Sequence, residues 1–246
     1  MGQGVFAVEV DSSAEERAGG SFLAKRIREH ADRQPTAFYY AKVDVERVDV
    51  VRQLGSAGFY VVDVNVTFGM EPSEESSARR MPSRDGWTVD GARPEHHDQI
   101  LDIAASCFRY SRFHVDPEVP RELANRIKRE WMNSCLRRER GEEVLVASRR
   151  GRVAGFLAIL AAQREGRQVR VVDLIGVSSA CQRQGVGREL MQAFIRRSQN
   201  RCDWLELGTQ AANLPSIRMC QQLGFLIVNN RYVLHCHTRH HAHRTH

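Results

Sequence analysis

The sequence predicts an α/β (α+β) fold from three observations. Val169–Val177 is a strand-like apolar segment, broken by Arg170 and Asp173, that leads into the glycine turn Gln182-Arg183-Gln184-Gly185-Val186-Gly187. Arg188–Arg197 follows as an amphipathic helix with Leu190, Met191, Phe194 and Ile195 on one side. A second unit comes next: the strand Trp204–Leu207, a helical segment from Asn213 that Gly224 can cap, and the strand Phe225–Val228.

The remaining elements can be read in order. Ala37–Val43 reads as a strand and Leu23–Arg33 as a helix. Gly69–Asp85, rich in Ser, Glu, Arg and Pro, reads as a linker. Trp87-Thr88-Val89 opens the next domain as a strand. Pro94 suits the first turn of a helix over Gln99–Phe108, and Asp116 and Pro117 open a helical stretch through Arg138. Glu143–Ser148 and Val153–Ala162 alternate as strands about the turn Arg149–Arg152.

The N-terminal part carries a half-copy of the C-terminal part. With residues 23–68 placed on residues 189–234 at constant offset, Arg52 falls on Arg218, Gly58 on Gly224, Phe59 on Phe225 and Val62 on Val228. The first copy reads as lacking the strand and glycine loop that precede the second.

Strand, glycine turn and helix together aim free backbone N–H groups at an anion. The glycines lack Cβ atoms, so phosphates can approach the main chain. No Gly-x-x-x-x-Gly-Lys-Ser/Thr occurs, and Leu190 stands where a dinucleotide fingerprint needs its third glycine. The hexapeptide, with Asn213-Leu214-Pro215-Ser216 through Gly224-Phe225, resembles the GNAT superfamily of acetyltransferases over about Trp87 to His237. That resemblance implies a GNAT fold, a mixed and mostly antiparallel sheet flanked by helices, preceded here by a truncated half-GNAT domain. It implies acetyl-CoA as co-substrate, held by Leu174, Ile175, Gly176, Val177, Gln182, Arg183, Gln184, Gly185, Val186, Gly187, Arg188, Asn213 and Ser216. The implied domains are a truncated non-catalytic half at 1–68, the linker 69–85, a catalytic domain at 86–238 and a His-rich tail at 239–246.

A second likeness concerns the acceptor. Ser111-Arg112-Phe113 and Trp131-Met132-Asn133 resemble the TDP-fucosamine acetyltransferase group, which N-acetylates a dTDP-4-amino-4,6-dideoxygalactose and also carries a truncated half ahead of its catalytic domain. The likeness implies a nucleotide-linked amino sugar as small-molecule substrate, met by Arg112, Phe113, Trp131 and Asn133. Arg112 can pair with a diphosphate in bidentate fashion. The aromatics read equally as stacking platforms or as core.

Transfer from a thioester to an amine needs a neutral amine, a polarised carbonyl and a protonated leaving thiolate. The family's usual tyrosine acid is replaced by Cys220, which reads either as the thiol that protonates CoA or as an inert small residue. Val171 stands where relatives place a glutamate. Asp173 shares its strand face and reads either as a base acting through water or as a hydrogen-bonded structural carboxylate.

The 246 residues carry a net charge of +6 with a pI near 9.2. The basic residues are dispersed and not interleaved with aromatics, which points to phosphorylated small ligands and not to nucleic acid. The sequence shows no apolar run of membrane-spanning length and no signal-peptide core. Six cysteines without C-x-x-C pairs suggest free thiols in the cytoplasm and no metal site. His235, His237, His240, His241, His243 and His246 suit adventitious metal binding only. A sheet edge near Tyr232–His237 offers a surface for a homodimer. Another amine acceptor, such as an antibiotic, polyamine or protein N-terminus, and a non-catalytic acetyl-CoA-binding module remain as alternatives.

Overall fold

In the computed structural model, the structure describes residues 4–9, 25–27, 29–30, 33, 36–72 and 86–239. The chain divides into two compact units, 1–66 with 229–246, and 67–228.

In the first unit, β1 (Gly4–Val8) pairs in parallel with β2 (Thr36–Asp44). Helix α1 (Val48–Ser56) leads to β3 (Tyr60–Met70), whose residues after Val66 belong to the second unit. The last strand of the chain, β9 (Leu226–Arg239), contributes its residues from Asn229 and pairs antiparallel with β2, Asp44 opposite Arg231 and Phe38 opposite His237. The strand order is β1-β2-β9-β3. Leu54, Val50, Phe59, Tyr39 and Leu234 close a core beneath it.

Three expectations change here. A strand does precede the first copy, because β1 lies parallel to β2. Only one face of this five-residue strand is covered, which leaves a weak pattern in the sequence. Gly69 and Met70, assigned to the linker, are sheet residues; residues 73–85 of that linker lie outside the described residues, as do His240, His241, His243 and His246 of the tail. Tyr232–His237 is no sheet edge, since β2 lies on one side of β9 and β3 on the other. The surface offered for a homodimer is therefore occupied.

The second unit holds β4 (Thr88–Gly91), α2 (His97–Ala104), α3 (Arg121–Leu136), β5 (Glu143–Arg149), β6 (Arg152–Arg164), β7 (Arg167–Val177), α4 (Val186–Ser198), β8 (Trp204–Gln210) and α5 (Leu214–Gln222). Its strand order is β8-β7-β6-β5-β4, antiparallel except for the parallel β7–β8 pair. The β5–β6 hairpin turns on Arg150 and Gly151 with φ of 50° and 77°. Two positive φ values in succession suit the right-handed twist of the flanking strands. Strand β6 carries the run Val153–Ile159, buried throughout. Helices α2 and α3 cover one face through Ile100, Ile103 and Met132 against Val146, Phe156 and Leu174. On the other face α4 lies so close that a Cβ at Gly155 would meet Val186 and Leu190 at 3.1 and 3.3 Å. No helix among the described residues is long and apolar enough to cross a membrane.

Candidate active site

Strands β7 and β8 form the site by parting. They pair from Val169 with Trp204 to Val172 with Leu207 and no further. Beyond that point Leu174–Val177 stay paired to β6 alone, so their β8-facing backbone groups have no strand partner. Asp173 sits where the β6–β7 register shifts, between Val172 opposite Ile159 and Leu174 opposite Ala158. Such a bulge bends a strand and breaks its pairing.

The glycine turn closes the end of the resulting groove. Gly185 is the N-cap of α4 with φ of 80°, and a Cβ there would meet nothing within 4 Å. The cap carries no side-chain hydrogen bond, so the first N–H groups of α4 have no partner within the helix. A positively polarised helix end beside open space suits a pyrophosphate. The Trp87 indole N–H holds the turn by donating to the Gln184 carbonyl at 3.2 Å. Across the groove, the Asn213 side chain accepts from the Ser216 N–H at 3.4 Å and caps α5.

Leu174, Ile175, Gly176, Val177, Gln182, Arg183, Gly185, Val186, Gly187, Arg188, Asn213 and Ser216 all line one groove of about 630 Å³, and Asp173 lines it with them. Gln184 does not: its side chain donates to the Ala180 carbonyl at 2.9 Å, on the outside of the turn.

Neither expected proton-transfer group stands ready. Cys220 has no exposed surface and is not part of the groove wall. Burial pushes its thiol up to about 11. The Asp173 carboxylate receives Nε and Nη2 of Arg140 at 2.7 and 2.8 Å and the Trp131 indole N–H at 2.8 Å. These three charge-assisted and neutral hydrogen bonds hold the carboxylate in place. Of the expected substrate residues, Phe113 is buried and carries the Arg112 guanidinium 4.8 Å above its ring. Asn133 faces Glu130 at 3.5 Å. Arg112, Phe113, Trp131 and Asn133 are not among the residues that line the groove.

Residues that sequence patterns did not single out take their place. Cys107, Phe108, Arg109, Tyr110 and Lys128 line the groove, together with Ser111 of the run Ser111-Arg112-Phe113. The Lys128 side chain, 7% exposed, holds its ammonium 4.3 Å from the Trp131 ring centre and 5.0 Å from that of Phe108. Burial, helped by the Arg112 charge and opposed by Asp173, pushes the ammonium down to about 8. Burial pushes the Cys107 thiol up to about 12, so it stays protonated. A second cavity of about 460 Å³ shares Phe108 and Arg109 with the groove and adds His114, Val119 and Arg121. His114 donates from Nε2 to Asn125 Oδ1 at 2.9 Å and accepts at Nδ1 from the Ser111 hydroxyl at 2.6 Å. Burial lowers its affinity for a proton, in keeping with this neutral tautomer. Lys128 did carry a sequence signal, since lysine occurs only at positions 25, 42 and 128 among 36 Lys and Arg residues.

Residues 97–225 match the model of the Acetyltransferase (GNAT) family. The chain is 27% identical over 204 residues to the spore coat polysaccharide biosynthesis protein SpsD of Bacillus subtilis (strain 168), covering 81% of this chain and 66% of that relative. Among solved structures it resembles a tandem GNAT protein from the clavulanic acid biosynthesis pathway, with a TM-score of 0.66 at 13% identity over 96% of this chain and 76% of that one. It also resembles a GCN5-related N-acetyltransferase from Sphaerobacter thermophilus, with a TM-score of 0.58 at 14% identity over 89% and 68% of the two chains. At these identities the structural likenesses show the fold alone.

Proposed function

Because this chain belongs to the GNAT family of acetyltransferases, and is an N-acetyltransferase that uses acetyl-CoA, we propose that its acceptor is the amino group of a nucleotide-linked amino-deoxy sugar, dTDP- or UDP-bound. The observation that carries this reading is the second cavity. It shares Phe108 and Arg109 with the groove, and Arg109 and Arg121 line it together with an aromatic ring and a neutral imidazole. Two guanidiniums suit a diphosphate, and a ring face suits a sugar or base. The relative's name, which places it in polysaccharide biosynthesis, supports the same substrate class.

Residues 86–238 would then form the catalytic domain and 1–68 a truncated, non-catalytic half of the same fold. Transfer is direct: the groove holds the thioester against the side of the Leu174–Val177 backbone that has no strand partner, where an N–H can polarise its carbonyl. The six free cysteines suit a reducing cytoplasm.

The test is release of free CoA thiol from acetyl-CoA against dTDP- and UDP-linked amino sugars. Turnover with one of them is expected, with Arg121→Ala raising the acceptor KM about tenfold and leaving the acetyl-CoA KM unchanged. Equal turnover with the free amino sugar would remove the nucleotide from the reading. Silence across the panel with acetyl-CoA still bound would turn it to another amine.

A further inference from the structure

With Asp173 engaged by Arg140 and Trp131, and Cys220 buried behind the wall, the groove still needs a group that can take a proton from the incoming amine. We infer that Lys128 is this group: it lines the groove, its nitrogen lies over two aromatic faces, and no hydrogen bond to a described residue engages it. The inference rests on N-acetyl transfer and is independent of which amine is acetylated.

Three observations support it. The side chain is buried, which disfavours the charged form of a lysine and outweighs the attraction of the Phe108 and Trp131 ring faces for the ammonium. The groups that face it are Arg112 and Arg140, whose charges lower its proton affinity, Asp173, whose charge raises it, and the neutral His114 imidazole and Cys107 thiol. Their joint effect, with burial, brings the ammonium to about 8, where a base at neutral pH is effective. Finally, the chain fills nearly all its basic positions with arginine, which never releases its proton, yet places one of three lysines here.

The step balances. Neutral Lys128 accepts a proton from the acceptor ammonium, and the freed nitrogen lone pair forms the C–N bond to the thioester carbon. The C–S bond breaks and CoA leaves as thiolate. The second proton shed by the nitrogen, as the amide forms, neutralises that thiolate. Lys128 returns its own proton to water before the next turnover.

Lys128→Met and Lys128→Arg in the full chain test this. Both should lower kcat by about 10²- to 10³-fold, with thermal unfolding and acetyl-CoA affinity showing an intact groove. The wild-type rise of kcat/KM through about pH 8 should vanish in Lys128→Met. Rescue by Lys128→Arg to within about fivefold would mean a fixed charge suffices and would overturn the inference. So would a pH profile that Lys128→Met leaves unchanged, since the rise would then belong to the acceptor. If no nucleotide sugar turns over, NMR of ¹³C-methylated lysines with CoA bound still decides. The Lys128 signal, identified by its loss in Lys128→Met, should titrate near 8, and titration above about 10, the ordinary lysine range, would overturn it.

Discussion

The two copies of the β-α-β unit agree wherever the backbone does the work and part wherever a ligand is handled. Val48–Ser56 falls on Leu214–Gln222 residue for residue. Gly58 and Gly224 both sit at φ of 94°. The Phe59 N–H reaches the Leu54 carbonyl at 3.0 Å, and the Phe225 N–H reaches the Cys220 carbonyl at 3.0 Å. Leu54 and Cys220 are thus the same position, and neither has exposed surface. Cys220 fills a core slot of the scaffold, which its partner copy fills with leucine. On the ligand side the second copy gives Pro215, Ser216, Arg218, Met219 and Gln222 to the groove and caps its helix with Asn213, where the first copy has Arg47 without a side-chain cap.

The largest break in this comparison should come from Gly185→Val. A β-branched side chain at φ of 80° is strained, and its methyls would fill the open space the turn offers. Acetyl-CoA affinity, measured by calorimetry, should fall at least about 100-fold, the order expected when a helix-end anion site is blocked and its backbone strained together. Affinity within threefold of the parent would move the pyrophosphate elsewhere.

Next in size is the shared core slot. Leu54→Ala should cost about 3 kcal/mol of stability while leaving acetyl-CoA affinity unchanged. Cys220→Ala, which removes one sulfur from a buried site, should cost about 1 kcal/mol and leave kcat within twofold. A tenfold fall in kcat with the fold intact would return the thiol to the chemistry.

What could be read from the sequence follows the same division. The glycine turn, the helix after it and the Asn213 cap are local, so their residue order specifies them, and twelve of the thirteen expected cofactor residues do line one groove. Gln184 departs because the turn, held by Trp87, points it outward. The proton-transfer residues are not local. Asp173 is neutralised by Arg140, and Lys128 is caged by α3 packing Trp131 over a bulge in β7. No spacing within either segment reports such a meeting. The repeat also runs further than its four identities suggested. With the same offset, β1 falls on Arg170–Leu174, and Arg17 and Gly19, outside the described residues, fall on Arg183 and Gly185.

The smallest expected effect sharpens the comparison through pH. Asp63 in the first copy corresponds to Asn229 in the second. Burial raises the Asp63 carboxyl from 3.8 to about 6, with Lys42 opposing the rise. Below about pH 4 the folded and unfolded chains both hold this proton. Between about 4 and 6 the folded chain holds more, so stability falls as pH rises through that window. Above it a charged carboxylate sits half-buried, and its cost is reduced by the water it still meets. Asp63→Asn makes the first copy like the second and removes that cost. It should stabilise the protein by about 1 kcal/mol at pH 7 and by nothing at pH 3.5, read from urea unfolding at both pH values. An equal gain at the two pH values would mean that packing of the amide, and not desolvation of the carboxylate, separates the two copies at this position.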